Sequence, residues 1–295
     1  MKPMPTSPDP TILQSLDGLL HALELEPIGN DRFRLANDPS RFPQLFGGQL
    51  VAHELHAMNA TVDGLAPSSV HAYFVAGGTP DQPVELAVER VHDGRTIATR
   101  RVAITQGTRV ALVAIGSFHT NTVGAEGSGD RPVAPSPEDL PTLQDWARAA
   151  PDSSGDRRHT WIGHPPPLEI RIGESPTFLS GAHETTTRSH WLRIPRPVGD
   201  NPDLHAVLLT YASDYFLLDM ALRNHPDRLG WDEAVGTSLD HTVWLHRPVS
   251  FDRWHLYVQE LLAFNGHRGL VQGRIYDQDG PLVATVAQEV LVRAR

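Results

Sequence analysis

The chain has 295 residues, 40% of them hydrophobic and 20% charged, with a formal net charge of −10 and no cysteine. That length allows about two domains of ~150 residues each, and no apolar run approaches the ~20 residues that span a bilayer. Without cysteine there are no disulfides, thiolate zinc sites or Cys nucleophile, and an acidic chain lacks the clustered positive charge a nucleic-acid partner demands. The N-terminal stretch MKPMPTSPDPTILQSL has no signal-peptide core, so the expectation is a soluble cytoplasmic protein without nucleic-acid or membrane partners. Lys occurs only at position 2 and the remaining basic residues are arginines, which leaves an anionic small ligand allowed.

In chain order, residues 23–36 (LELEPIGNDRFRLA) read as a hairpin and residues 47–62 (GGQLVAHELHAMNATV) as a helix. In that helix Leu50, Val51, Leu55, Met58 and Val62 fall near one face, while His53, Glu54 and His56 lie elsewhere. The run His53 to His56 is one residue short of a zincin motif and has no third ligand, so it reads as a solvated helix face with no metal. Residues 68–76 and 84–119 follow as antiparallel strands. Residues 121–160, rich in Gly, Pro, Ser and Asp, divide the chain as a linker.

The second half repeats the order. PLEIRIG and HWLRIP precede one long apolar helix from Leu204 to Met220, and strands follow in TSLDHTVWLHRP and in residues 254–294. The hairpin signals align too, Asp93-Gly94 with Asn265-Gly266 and Gln106-Gly107 with Asp279-Gly280. A hairpin, a long helix and a strand meander, twice over, predict an α+β fold in which each sheet wraps one helix, the tandem (double) hotdog layout. Its units would be residues 10–120 and 161–295.

Asp214 interrupts the apolar stretch LLTYASDYFLLDM. A buried unpaired carboxylate costs several kcal/mol, so either the chain breaks there and Ser213-Asp214 caps a helix, or the acid is present for chemistry. Gly47 and Gly48 open the first helix, where unpaired backbone N–H groups make a ready site for an oxyanion or a phosphate. The plainer reading of these glycines is close packing.

The strings LFGGQL, VHAYF, DGRTIATRRVAITQG and GSFH in the first half, and YASDYFLL, TSLDHTVWLHRP, RGLVQGRIYDQDGPLVA and AQE in the second, resemble the acyl-CoA thioesterase II (TesB) family of double-hotdog hydrolases. The resemblance implies hydrolysis of acyl-CoA to free acid and CoA, with no cofactor, in a homodimer or larger homo-oligomer. It implies a catalytic trio at Asp214, Ser238 and Gln288 that polarises and positions a water; separately, the free amides at the helix start make Gly47 and Gly48 candidates for an oxyanion hole facing the thioester across the interface of the two halves. A desolvated carboxylate is a stronger base, and a hydroxyl and an amide suit the orientation of water. The acyl group would pack among residues such as Leu50, Leu55, Phe74, Phe216 and Trp244.

Two departures bear on the acyl group: VAGGTPDQP replaces an Arg-Pro-Gly-like turn after VHAYF, and Val290 stands where the family has Gly. Two rival readings remain. GDNPDLHAV, residues 199–207, is similar to the Asp-x-Asn-Pro-Leu-His signature of hotdog enoyl-CoA hydratases, with Asp200 and His205 as the acid–base pair but Asn-Pro shifted by one position. The other is an acyl-CoA-binding protein without catalysis.

Overall fold

A computed structural model describes residues 9–38, 42, 44–120, 127, 129–151, 155–179 and 185–295. The first half contains α1 (Pro10–Ala22), β1 (Glu26–Gly29), β2 (Arg32–Leu35), α2 (Gly47–Asn59), β3 (Ala66–Phe74), β4 (Val84–Asp93), β5 (Ile97–Gln106) and β6 (Arg109–His119). After α3 (Leu143–Ala149) and α4 (Gly155–Gly163), the second half contains β7 (Glu169–Ile172), β8 (Thr187–Arg193), α5 (Pro202–Ser213), α6 (Leu217–Arg223), β9 (Ala234–Ser238), β10 (Asp240–Leu245), β11 (His255–Asn265), β12 (Arg268–Asp277) and β13 (Leu282–Ala294).

All thirteen strands of the described residues join one sheet in the order β1-β2-β4-β5-β6-β3-β10-β13-β12-β11-β8-β7, with β9 paired to the far end of β13. Read outward from its centre, each half gives the same sequence of strands: β3, β6, β5, β4, β2, β1 on one side and β10, β13, β12, β11, β8, β7 on the other. This is the duplication expected of a tandem hotdog. The two halves meet where β3 pairs antiparallel with β10, Val70 opposite Val243 and His71 opposite Thr242. The last hairpin of each half turns on a glycine at positive φ, Gly107 at 58° and Gly280 at 117°, a region that L side chains rarely enter.

Beneath the sheet α2 packs against α5, and the contact of Gly48 with Asp214 shows that they run antiparallel. Val51, Leu55 and Met58 of α2 and Val207, Leu208 and Leu209 of α5 are fully buried, each contributing about 1.5–3 kcal/mol through lost apolar exposure. No helix among the described residues is long and apolar enough to cross a membrane.

Four features differ from the sequence expectations. The apolar stretch 204–220 is not one helix: α5 ends at Ser213, Phe216 takes a left-handed φ of 68°, and α6 starts at Leu217. Residues 10–22 form a helix that the reading left without an element, capped by Asp9 and burying Ile12, Leu16 and Leu19. Of the segment 121–160, residues 121–126, 128 and 152–154 lie outside the described residues, and the rest carries α3, whose Leu143 and Ala147 are buried, and most of α4. Finally, His53 and Glu54 are fully buried rather than on a solvated face. The end of α1 lies against the two histidines, with the Ala22 and Leu23 carbonyls within reach of His53 and His56.

Burial holds the His53 pKa down to about 3 and the Glu54 pKa well above the ordinary carboxylate range. For His53 the folded pKa is below the unfolded value, so its contribution is full above ~6.5 and lost as pH falls toward the folded value. Glu54 works in the opposite sense. Its contribution is full below ~4.3 and declines as pH rises, because the unfolded chain ionises while the buried acid, with neither oxygen partnered, does not. Glu54→Gln is therefore expected to raise the melting temperature at pH 8 by about 2–6 °C and to leave it nearly unchanged at pH 4. A lower melting temperature at pH 8 would show that the carboxyl is charged and held.

Candidate active site

The sequence left open whether Asp214 caps a helix or serves chemistry, and its capping role is visible in the structure. The chain does break there, and Asp214 is the C-cap residue of α5, yet its side chain caps a different helix. The N-cap position of α2 is Phe46, which offers no side-chain acceptor. In its place Asp214 Oδ2 accepts the N–H of Gly48 at 2.8 Å, from the other half of the molecule. A carboxylate at a helix N-terminus is favoured by the unpaired amides and by the helix dipole.

Gly48 is sterically required, and Gly47 is closely packed by side chains. A Cβ on Gly48 would overlap the Tyr211 carbonyl oxygen and lie 2.6 Å from Phe46 Cε1, and one on Gly47 would lie 2.8 Å from Asp214 Oδ2 and 3.1 Å from Phe74 Cζ. Gly48 thus serves close packing, and its amide is committed to Asp214. Gly47, at the first helical position, keeps an N–H with no intrahelical acceptor, beside the carboxylate.

Ser238 and Gln288 are also brought to this place. Gln288 Nε2 donates to Ser238 Oγ at 2.8 Å, and the residue joining that pair to Asp214 is His241, which sequence reasoning missed. His241 is fully buried on β10, its Nδ1 facing Gln288 Oε1 and lying 3.9 Å from Asp214 Oδ1, its Nε2 2.8 Å from Ser213 Oγ. With Gln288 donating to Ser238, its Oε1 calls for a proton on His241 Nδ1. The Ser213 hydroxyl has two acceptors, His241 Nε2 and, at 2.7 Å, the Thr210 carbonyl. Donation to His241 Nε2 leaves the imidazole bonded at both nitrogens, whereas donation to the Thr210 carbonyl leaves Nε2 without a donor. His241 lies in the TSLDHTVWLHRP string, but nothing local marks it, because Ser213 and Gln288 are 28 and 47 residues away.

The walls near Asp214 are aromatic. Phe46 meets Tyr211 edge-on at 5.3 Å and Tyr215 at 5.1 Å, and Phe74 reaches Gly47. Of the expected acyl-packing residues, Leu50, Leu55, Phe74 and Phe216 lie on the helix side of the sheet, whereas Trp244 does not: it is 37% exposed on the outer face, against His71. Strand alternation puts Val243 and His241 inward instead.

The hydratase-like motif is structural. Asn201 Oδ1 caps α5, accepting from Asp203 N at 3.0 Å, and Pro202 opens the helix. His205 spends both ring nitrogens on backbone, Nδ1 accepting from Phe251 N at 2.9 Å and Nε2 donating to the Gly199 carbonyl at 2.8 Å. Asp200 is exposed, and the motif stands at the opposite end of α5, about 18 Å from Asp214 at 1.5 Å per residue.

Residues 165–291 match the Acyl-CoA thioesterase family, and residues 38–119 match the Acyl-CoA thioesterase N-terminal domain. Acyl-CoA thioesterase 2 of Haemophilus influenzae is 30% identical over 283 residues, covering 94% of this chain and 98% of that protein. Human acyl-coenzyme A thioesterase 8 is 32% identical over 287 residues, covering 92% of this chain and 88% of that one. Among solved structures, an acyl-CoA thioesterase II from Mycobacterium marinum superposes with a TM-score of 0.75 at 30% identity, covering 94% of this chain and 98% of that one.

If His205 is a pin, His205→Ala leaves the buried Phe251 N–H without an acceptor and is expected to cost about 1–3 kcal/mol of stability, measured by denaturant unfolding. Unchanged stability would show that the imidazole is free for another task.

Proposed function

Since this chain belongs to the acyl-CoA thioesterase family and hydrolyses acyl-CoA thioesters to the free acid and CoA, we propose that the reaction runs by direct attack of a water held among Asp214, Ser238 and Gln288. The observation that carries this reading is the clasp of Asp214 by the Gly48 amide, with His241 joining the carboxylate to the Gln288–Ser238 pair. Asp214 takes a proton from the water as its oxygen forms a bond to the thioester carbonyl carbon. The C–S bond then breaks, and the CoA thiolate leaves with the proton that Asp214 returns. No covalent acyl-enzyme and no metal enter the scheme.

Each remaining group has a defined part. The Gly48 N–H fixes one carboxylate oxygen, which leaves the other for the water. Gly47, with its amide at the positive end of α2, faces the developing oxyanion, and its missing Cβ keeps the space beside Asp214 open. Ser238 and Gln288 orient the water, and His241 holds the Gln288 amide. Phe46, Phe74 and Tyr215 provide the apolar side for the acyl chain. Residues 10–120 and 161–295 are the two hotdog units, one supplying the helix end and the other the trio.

The enzyme works in the cytoplasm as a homodimer or larger homo-oligomer. The support for self-association is the outer face of the sheet centre, where Tyr73 (63% exposed), Ile115 (45%) and Trp244 (37%) lie on the neighbouring strands β3, β6 and β10, with Val75 (57%) just past the end of β3. Light scattering should give at least twice the chain mass of 32.4 kDa, reduced by Trp244→Glu. A monomer would remove this part of the reading.

Free-thiol release from acyl-CoAs of short, medium and long chain tests the chemistry. Asp214→Asn is expected to lower kcat by about a hundredfold or more with the fold intact, and Ser238→Ala and Gln288→Ala by about 10- to 100-fold each. An Asp214→Asn enzyme that turns over like the wild type would overturn the trio.

A further inference from the structure

We propose that Tyr257 and Gln259 are positioning residues for the hydrolysis, gripping the chain on both sides of Asp214; this rests on the reading of Asp214 as the base. The two are alternate residues of β11, so they face the same side of the sheet, and both are fully buried beneath the break between α5 and α6. The Tyr257 hydroxyl donates to the carbonyl of Ser213 at 2.7 Å, and Gln259 Nε2 donates to the carbonyl of Tyr215 at 2.7 Å. Asp214 is the single residue between those two carbonyls.

The grip meets a need that the break itself creates. With Phe216 at a φ of 68° the helical ladder stops, and carbonyls at the end of α5 need donors from outside the helix or remain buried and unpaired. One strand supplies both. Burial, reinforced by the nearby charge of Asp214, holds the Tyr257 pKa far above its ordinary value, so the phenol stays a neutral donor.

Space for the arrangement is reserved on the next strand. Gly273 of β12 pairs with Gln259, and a Cβ there would overlap the Tyr257 ring and come 2.6 Å from its hydroxyl. The grip also extends past Asp214. Ser213, held through its carbonyl by Tyr257, contacts His241 through its hydroxyl, and His241 holds Gln288. A shift of Ser213 therefore moves the carboxylate and the water-orienting amide together.

Tyr257→Phe removes only the hydroxyl. Gln259→Met keeps the length and removes the donor to the Tyr215 carbonyl together with the side-chain contact to Tyr257. Steady-state thiol release by both, beside wild type and Asp214→Asn, is expected to show kcat lowered about 10- to 100-fold, as misplacement of a catalytic group by about 1 Å does, with KM within roughly twofold. Tyr257→Phe added to Asp214→Asn is expected to cost less than about twofold more, since it acts through the group already removed. A folded Tyr257→Phe and a folded Gln259→Met that both keep kcat within about twofold of wild type would overturn the proposal, as would a rise in KM at unchanged kcat. If Tyr257→Phe does not fold, Gln259→Met decides alone. Wild-type turnover by Asp214→Asn would bring down the assignment of the base itself, a result distinct from failure of the grip.

Discussion

One hydrogen bond organises the molecule: the N–H of Gly48, at the start of α2, to the carboxylate of Asp214, at the end of α5. It joins the halves at their buried helix pair and supplies α2 with the N-cap acceptor that Phe46 lacks. Its geometry sets several residue choices at once. Position 48 must be glycine because the approach leaves no room for a Cβ beside the Tyr211 carbonyl and Phe46, and at position 47 a Cβ would push on the carboxylate. Asp214 keeps helical backbone angles at the C-cap of α5, and the departure from the helix comes two residues on, at Phe216. A carboxylate held by one amide at the positive end of a helix is fixed in orientation and almost wholly shielded from solvent.

The duplication of the sheet makes the asymmetry of the helix ends informative. In the paired strand orders α2 and α5 occupy equivalent places, yet their first turns are satisfied differently. The start of α5 is closed locally by Asn201 and Pro202 and anchored through His205 to Phe251. Among the described residues, the side-chain acceptor at the start of α2 comes from the other half. The repeat thus builds two equivalent helix ends and closes one with its own residues, the other with an acid from the opposite half.

Much of the fold was legible because its signals are local. Paired hairpin dipeptides and period-two strands gave the repeated meander, and α1 could have been read from Asp9-Pro10 followed by Ile12, Leu16 and Leu19. The break in α5 was half legible, as a lone acid in an apolar run. What stayed hidden depends on coverage and on distant partners. Glu54 and His53 look like a solvated face until the fold buries them, His53 against the end of α1, and Trp244 looks like core until strand alternation turns it outward. His241 resembles any strand histidine until Ser213 and Gln288 close on it. The trio itself rested on family resemblance, since Ser238 and Gln288 are inconspicuous one at a time.

The left-handed Phe216 has to be stabilised, since for a non-glycine residue that conformation costs roughly 1–2 kcal/mol. Its ring is enclosed by Phe178, stacked at 6.1 Å, and by His190, edge-on at 4.9 Å, with Arg188 5.6 Å above it. Arg188 also pairs with Asp219 and Glu174, and Arg223 pairs with the same Glu174, so both ends of α6 are tied to β8 and the segment before it. Buried ion pairs of this kind add little net stability, but they are strict about geometry. Here they fix where α6 begins and therefore where α5 must end. Aromatic enclosure makes the break tolerable, the ion pairs locate it, and β11 bonds the carbonyls it exposes, so Asp214 reaches Gly48 from a backbone turn constrained on every side.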